Sequence, residues 1–177
     1  NVSSGKSSYA LQSFFGRVNL NYRNRYVGTL TMRTDGSSKF APEHRWGVFP
    51  SASLGWNVNE EKWWNADDMS LKVRASIGAT GNQGGIGAYA YQALASGGVN
   101  YGGINGLGLS TAGNRDLKWE TATQTNLGVD LSFWKGALSA TVDVFNKDTD
   151  NLLYNRPTMI TTGYSSQLCN IGAMNNR

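Results

Sequence analysis

The chain predicts an all-β, antiparallel fold: an up-and-down transmembrane β-barrel segment of about six strands belonging to a larger barrel. Three observations carry this reading. Apolar and polar side chains alternate through successive runs of about ten residues, the connections between runs are alternately short and long, and no window offers the roughly 18 consecutive apolar residues of a membrane helix. Strand side chains point to opposite faces in turn, so each run has one apolar and one polar face.

The first run, "SFFGRVNLNY", sets Phe14, Gly16, Val18, Leu20 and Tyr22 against Phe15, Arg17, Asn19 and Asn21. After the tight, polar "RNR", the second, "YVGTLTMRTD", sets Tyr26, Gly28, Leu30 and Met32 against Val27, Thr29, Thr31, Arg33 and Asp35, so the two form a hairpin. The third, "RWGVFPSASLGWNV", carries Trp46, Val48, Pro50, Ala52, Leu54, Trp56 and Val58 on its apolar face, with tryptophans near both ends. The fourth, "LKVRASIGAT", opposes Leu71, Val73, Ala75, Ile77 and Ala79 to Lys72, Arg74, Ser76, Gly78 and Thr80. The fifth, around "TQTNLGVDLSF", has Leu127, Val129, Leu131 and Phe133 as its apolar set. The sixth, "LSATVDVFNK", follows the turn "WKG" with Leu138, Ala140, Val142 and Val144.

The long connections, "GSSKFAPEH", Gly81 to Leu117 and Asp148 to Asn170, all fall at one end. "NEEKWWNADDMS" is intermediate and lies at the short-turn end, with room for a helical turn. Globular strands average 5 to 6 residues, whereas roughly 9 to 11 tilted residues cross a bilayer. Long runs, one apolar face, aromatics near its margins and loops of unequal length at the two ends describe an outer-membrane barrel. Six strands are too few to close one, so further strands must cover the open edges. The chain starts at Asn1, has no basic region followed by an apolar one, and stops at "AMNNR" in mid-pattern; it is expected to be an excised segment without a signal peptide.

Composition removes several function classes. The net charge is +4, but the sixteen Lys and Arg are scattered singly, which argues against nucleic acid. One cysteine, Cys169, and one histidine, His44, supply neither a disulfide nor metal-ligand spacing, so no metal and no cofactor is expected.

The stretches "GSSKF…RWGVFPSASLGWNV", "LKVRASIGATGNQ", "LKWETATQTNLGVDLSF" and "GY…NIGAMNN" resemble, in order, consecutive motifs of the SusC/RagA family, the TonB-dependent transporters of the outer membrane of Bacteroidetes-type bacteria. The similarity covers nearly all of the chain from Phe14. It implies a barrel of about 22 strands, the size class whose lumen is plugged. Residues 1–177 would be a partial barrel domain, with no plug domain and no TonB-contacting segment. The resemblance further implies a SusD-like surface lipoprotein as partner, outer-membrane lipid around the barrel, and gated import of oligosaccharides or peptides with no bond made or broken.

The candidate residues follow from position. "SIGATGNQGGIGAY", with five glycines in fourteen residues, lacks both the G-x-G-x-x-G pattern and the Lys-Ser/Thr of a P-loop, and the strand before it carries Lys72 and Arg74; a tightly turning barrel loop is expected rather than a phosphate cradle. Tyr89, Tyr91 and Tyr101, set among glycines, are candidates for stacking on sugar rings or contacting a partner, against the plainer reading of loop packing. Arg33 with Asp35 and Lys72 with Arg74 are expected to face the lumen, pairing across the barrel or steering substrate. Tyr22, Tyr26, Trp46, Trp56 and Trp134 are expected at the membrane interface, and Trp63 and Trp64 in the intermediate connection as interfacial anchors. The carboxylates Glu60 with Glu61, Asp67 with Asp68, and Asp148 with Asp150 are expected to be solvated turn residues, and Cys169 an incidental loop thiol. The competing reading is a soluble or surface all-β carbohydrate-binding module, which requires a second sheet of the same chain over the apolar face. An enzyme has almost no support.

Overall fold

A computed structural model describes residues 7–66 and 68–177, the Tyr101 side chain excepted. Its main feature is one antiparallel seven-stranded sheet in the order β1-β2-β3-β4-β7-β8-β11. The long strands are β1 (Leu11–Tyr22), β2 (Tyr26–Ser37), β3 (Trp46–Asn57), β4 (Met69–Asn82), β7 (Glu120–Phe133) and β8 (Leu138–Asp150), and the last is the short β11 (Ala173–Asn176). Two hairpins stand apart from the sheet: β5 (Leu94–Tyr101) with β6 (Ile104–Thr111), and β9 (Leu153–Pro157) with β10 (Ser166–Asn170). No helix among the described residues is long and apolar enough to cross a membrane.

The sheet therefore has one strand more than the expected six. β11 is only four residues long and follows a hairpin, so no alternating run announces it. The Gly81 to Leu117 and Asp148 to Asn170 connections are not plain loops, since each contains a hairpin of short strands, the first of them rich in Gly, Ser and Asn. β3 stops at Asn57, and Val58 opens a 3₁₀ turn in which it is buried rather than part of the apolar face. That turn supplies the helical element expected in the intermediate connection.

Register carries the two faces across the sheet, because residues directly opposite in an antiparallel pair share a face. Tyr22 pairs with Tyr26 and Val18 with Leu30. Leu30 in turn pairs with Ala52 and Tyr26 with Trp56, Trp56 with Val73, Val73 with Val129, and Val129 with Val142. The apolar face is thus continuous from β1 to β8. It also has an upper edge. In β7 and β8 the pair Leu127–Val144 is followed on the same face by Thr125–Asn146, Thr123–Asp148 and Thr121–Asp150. Strands of 12 to 14 residues hence carry an apolar band over part of their length and continue as polar strands at the long-loop end. No second sheet covers the band among the described residues, and Leu54 stays 70% exposed and Val144 66%.

Two short turns require left-handed backbone. Arg23 (φ 54) and Asn24 (φ 58) occupy the centre of the first, closed by the Arg25 N–H donating to Tyr22 O at 3.0 Å. Between β7 and β8, Trp134 (φ 51), Lys135 (φ 53) and Gly136 (φ 94) turn the chain, with the Ala137 N–H donating to Trp134 O at 3.2 Å. Such turns match the right-handed twist of the strands they join, which offsets the cost of positive φ in residues other than glycine.

The buried core lies at the long-loop end. Phe40, Phe49, Ile86, Leu117 and Trp119 form it, with Ala90, Leu153 and Leu168 packed against them. Pairing between β3 and β4 ends at Ser51–Gly78 although β4 continues to Asn82 on its other side. The Phe49 ring lies against Gly81, where any Cβ would overlap it. Trp119 lies tilted against Phe40 at 4.9 Å and edge-on at 5.6 Å to Phe49, and its indole N–H donates to Arg45 O at 3.1 Å.

Candidate functional site

The polar face of the sheet carries hydroxyls, amides and paired charges. A hollow of about 630 Å³ lies on it, bordered by Thr29, Thr31, Ser51, Ser53, Gln124 and Asn126, with Arg33 and Asp35 at its upper side. Arg33 Nε donates to Asp35 Oδ1 at 2.8 Å, two residues along one strand. Lower down, Arg74 bridges two strands: it donates to Asp130 through Nε (2.7 Å) and Nη2 (3.0 Å), and to Asp143 at 3.1 Å. Thr141 adds a hydrogen bond to Asp130. Lys72 sits opposite Asp130 and Asn57 in register and forms no ion pair among the described residues. Arg33, Asp35, Lys72 and Arg74 all lie on the polar face, but in two separate groups. Asp130 and Asp143, the partners that make a network of Arg74, carry no sequence signal beyond their alternation.

The short-turn end gathers aromatic side chains. Tyr26 and Trp56 stack at 6.4 Å, and Tyr22 lies under the Arg23 guanidinium at 5.2 Å. Trp63 and Trp134 are largely exposed. Trp64 meets Trp63 edge-on at 6.0 Å, and its indole N–H is shared between Ala66 O and Met69 O, which ties the turn to the start of β4. Trp46 is at the opposite end, its ring laid over Gly36 and stacked on Phe14 at 6.2 Å.

Glu61 corrects an expectation. It is not a solvated turn residue: Tyr26 OH (2.8 Å) and Trp56 Nε1 (3.2 Å) both donate to its Oε1, and Arg25 stands 3.4 Å from its Oε2. The Tyr26 hydroxyl, followed by the indole and the guanidinium, holds the Glu61 carboxyl below the usual carboxylate range. Asp148 and Asp150 are likewise strand residues of β8 rather than turn residues, and Asp148 accepts hydrogen bonds from Asn146 and Asn175. Cys169 belongs to β10 rather than to a loop. Asp68 lies 3.9 Å from Lys135, and Asp67 is outside the described residues.

At the long-loop end Arg115 pairs with Glu43 at 2.7 Å, joining two loops. A hydrogen bond from its own backbone N–H, and then the Arg115 guanidinium, hold the Glu43 carboxyl below its ordinary value. The glycine-rich stretch closes β4: Asn82 Oδ1 accepts from the Gly84 N–H, and Gly85 turns with φ 80. Tyr89 and Tyr91 belong to the turns that follow, with the Tyr91 OH accepting from Gln92 Nε2, while Tyr101 is at the tip of the β5–β6 hairpin. Tyr89 borders a cavity among the outer turns and hairpins. The aromatic cluster of Phe40, Phe49 and Trp119 escapes sequence reasoning because Phe49 sits among polar-face residues and the other two lie in connections.

A sheet with one continuous lipid-type face, one hydrogen-bonded polar face, short turns at one end and structured loops at the other is a stretch of transmembrane β-barrel wall. The chain belongs to the family described as TonB dependent receptor-like, beta-barrel, which it matches over residues 1–177. It is 40% identical over 173 residues to the TonB-dependent receptor P39 of Formosa agariphila, covering 97% of this chain and 17% of that receptor. Over 175 residues it is 37% identical to the TonB-dependent receptor SusC of Bacteroides thetaiotaomicron, covering 94% and 17%. The solved structure of the RagAB peptide transporter matches it with a TM-score of 0.85 at 33% identity, over 94% of this chain and 18% of that one. The chain therefore spans less than a fifth of the length of these relatives.

Proposed function

We propose that these residues are part of the wall and outer loops of an outer-membrane TonB-dependent transporter that imports oligomeric nutrients, glycans or peptides, together with a SusD-like surface lipoprotein. The observation that carries the reading is the apolar face running unbroken from β1 to β8 opposite a polar wall, a pairing that needs lipid on one side and water or polar protein on the other. The relatives are receptors and transporters rather than enzymes. Passage along the polar wall makes and breaks hydrogen bonds only. The lumen-facing roles of Arg33, Asp35, Lys72 and Arg74 and the interfacial roles of the aromatics belong to this reading. Energy coupling to TonB would act through segments outside residues 1–177.

The test is an antibody against this segment applied to fractionated source cells, with unheated and boiled samples compared on a gel. A closed barrel gives an outer-membrane band that shifts on boiling and is far larger than the 19.2 kDa of this segment. A soluble band near that mass, unaffected by heat, would overturn the transporter in favour of a carbohydrate-binding module.

A further inference from the structure

The wall has a seam between β3 and β4. Their ladder ends at Ser51–Gly78, although β3 begins at Trp46 and β4 continues to Asn82. Pro50 stands at the point where pairing stops and has no N–H to give, in keeping with the confinement of proline to sheet edges and bulges. Above it the Phe49 ring lies against both Gly47 and Gly81 and holds the strands apart. Ser51, Ala52, Ile77, Gly78 and Ala79 border the polar hollow on one side of this seam and an apolar groove on the other.

The groove measures about 810 Å³ and crosses the strands rather than following one. Register explains its shape. One row on the apolar face runs Gly16–Met32–Pro50, with Ala79–Thr123 on β4 and β7, and the row beneath runs Val18–Leu30–Ala52–Ile77. Small residues make the floor: Ala52 and Ala79 are half-buried, and nothing lies within 4 Å of where a Cβ on Gly16 would stand. Leu30, Met32 and Ile77 rise beside them, each more than half exposed. Strands of such barrels lean by roughly 35–45°, so a groove across them is inclined to the membrane normal, a course that a flexible alkyl chain can follow.

The groove is continuous with the band that faces lipid, so its occupant comes from the membrane. Floor and rim are alkyl groups and one thioether, which match hydrocarbon, and a trough left empty would forfeit the contacts of every atom lining it. Backbone without a ladder is tolerated at membrane depth only where protein or an aqueous cavity serves it; here the polar hollow serves the seam from one side, and an alkyl chain closes it from the other. Pro50 lies four residues after Trp46 and six before Trp56, nearer the long-loop end, which is extracellular in such barrels. We propose that this groove holds one acyl chain of an outer-leaflet lipid, which seals the β3–β4 seam. The assignment rests on the transporter reading, which places the band in a membrane, and adds to it a lipid held at a defined position.

The full-length protein that carries this segment is purified in a short-chain detergent, stripped of lipid and titrated with lipid A from the source cells, and the first lipid to bind is followed by native mass spectrometry. Gly16→Leu fills the groove from β1, where there is open space, and is expected to weaken that first binding by about tenfold or more. Ala52→Leu, which fills it from β3, is expected to act in the same direction and decides the matter if Gly16→Leu does not fold. Val142→Leu, on the same band in β8 but away from the groove, is expected to leave it within about threefold of wild type. Equal weakening in Val142→Leu, unchanged binding in both groove variants, or binding of free palmitate without lipid A overturns the proposal. If the heat-modifiable outer-membrane band is itself missing in wild type, the transporter reading fails; if it is present without these effects, only the lipid groove fails.

Discussion

Phe49 and Leu54 belong to the same strand, yet Phe49 is 6% exposed and Leu54 70%. Both are large and apolar. Phe49 points to the polar face and is covered by Phe40, Leu117 and Trp119 from loops brought back over it, whereas Leu54 points to the apolar face, which nothing among the described residues covers. The chain thus has two kinds of apolar surface: a small water-excluding core at the long-loop end, and a broad band whose counterpart is lipid. In the first, stability comes from close packing and removal from water. In the second, lipid replaces the missing neighbours, and backbone ladders hold the strands together.

The sharpest way to break this contrast is a matched pair of truncations in the full-length protein, followed by the denaturant dependence of the heat-modifiable band. Leu117→Ala, at a fully buried site, is expected to cost about 2–5 kcal/mol because it leaves a cavity. Leu54→Ala is expected to cost less than about 1 kcal/mol, since lipid chains are as apolar as the lost side chain and refill the space. Equal losses at the two sites would mean that Leu54 is packed against protein and would remove the lipid-facing band.

A charge sharpens the comparison from the other side. Val142→Arg puts a cation within the apolar band of β8, with an expected cost of about 2–4 kcal/mol near mid-membrane. Asp143→Asn, one residue along on the polar face, keeps an acceptor for Arg74 and is expected to change stability much less. The assay is the same, and a reversed order would swap the two faces.

The smallest expected effect concerns Glu61 at the lower margin of the band. Its folded-state carboxyl titrates below the usual range, so its contribution is present above the unfolded-state value and is lost as pH falls through that value and on to the folded one. Wild type should lose stability as pH is lowered through the carboxylate range near 4.3, and Glu61→Gln should lose part of that dependence while matching wild type more closely at low pH. Identical pH profiles would remove Glu61 as the group that holds Tyr26 and Trp56.

The six long strands, their facing and the polarity of their ends were legible because period-two alternation survives in each run. Even the boundaries of β1 and β2 follow it within a few residues. β11 and the two hairpins were not legible, since strands of four to eight residues are too short to display a clear alternating period. Of the candidate residues, Arg33 with Asp35 could be paired from spacing, as they sit two apart on one face. The Arg74 partners required knowing that β4 lies between β3 and β7, a neighbour reached only after Gly81 to Leu117 has looped away and returned. The carboxylate of Glu61 resembled any turn residue until the turn folded it back under Tyr26 and Trp56.

From the residue order alone come the two faces, the strand lengths suited to a bilayer and the difference between short and long connections, because each depends only on local periodicity and turn chemistry. Tertiary structure alone decided which strands became neighbours, that Phe49 would be buried and Leu54 left to lipid, and that Glu61 would be folded back under Tyr26 and Trp56. Those outcomes depend on residues far apart in sequence converging at one end of the sheet, which no local pattern encodes.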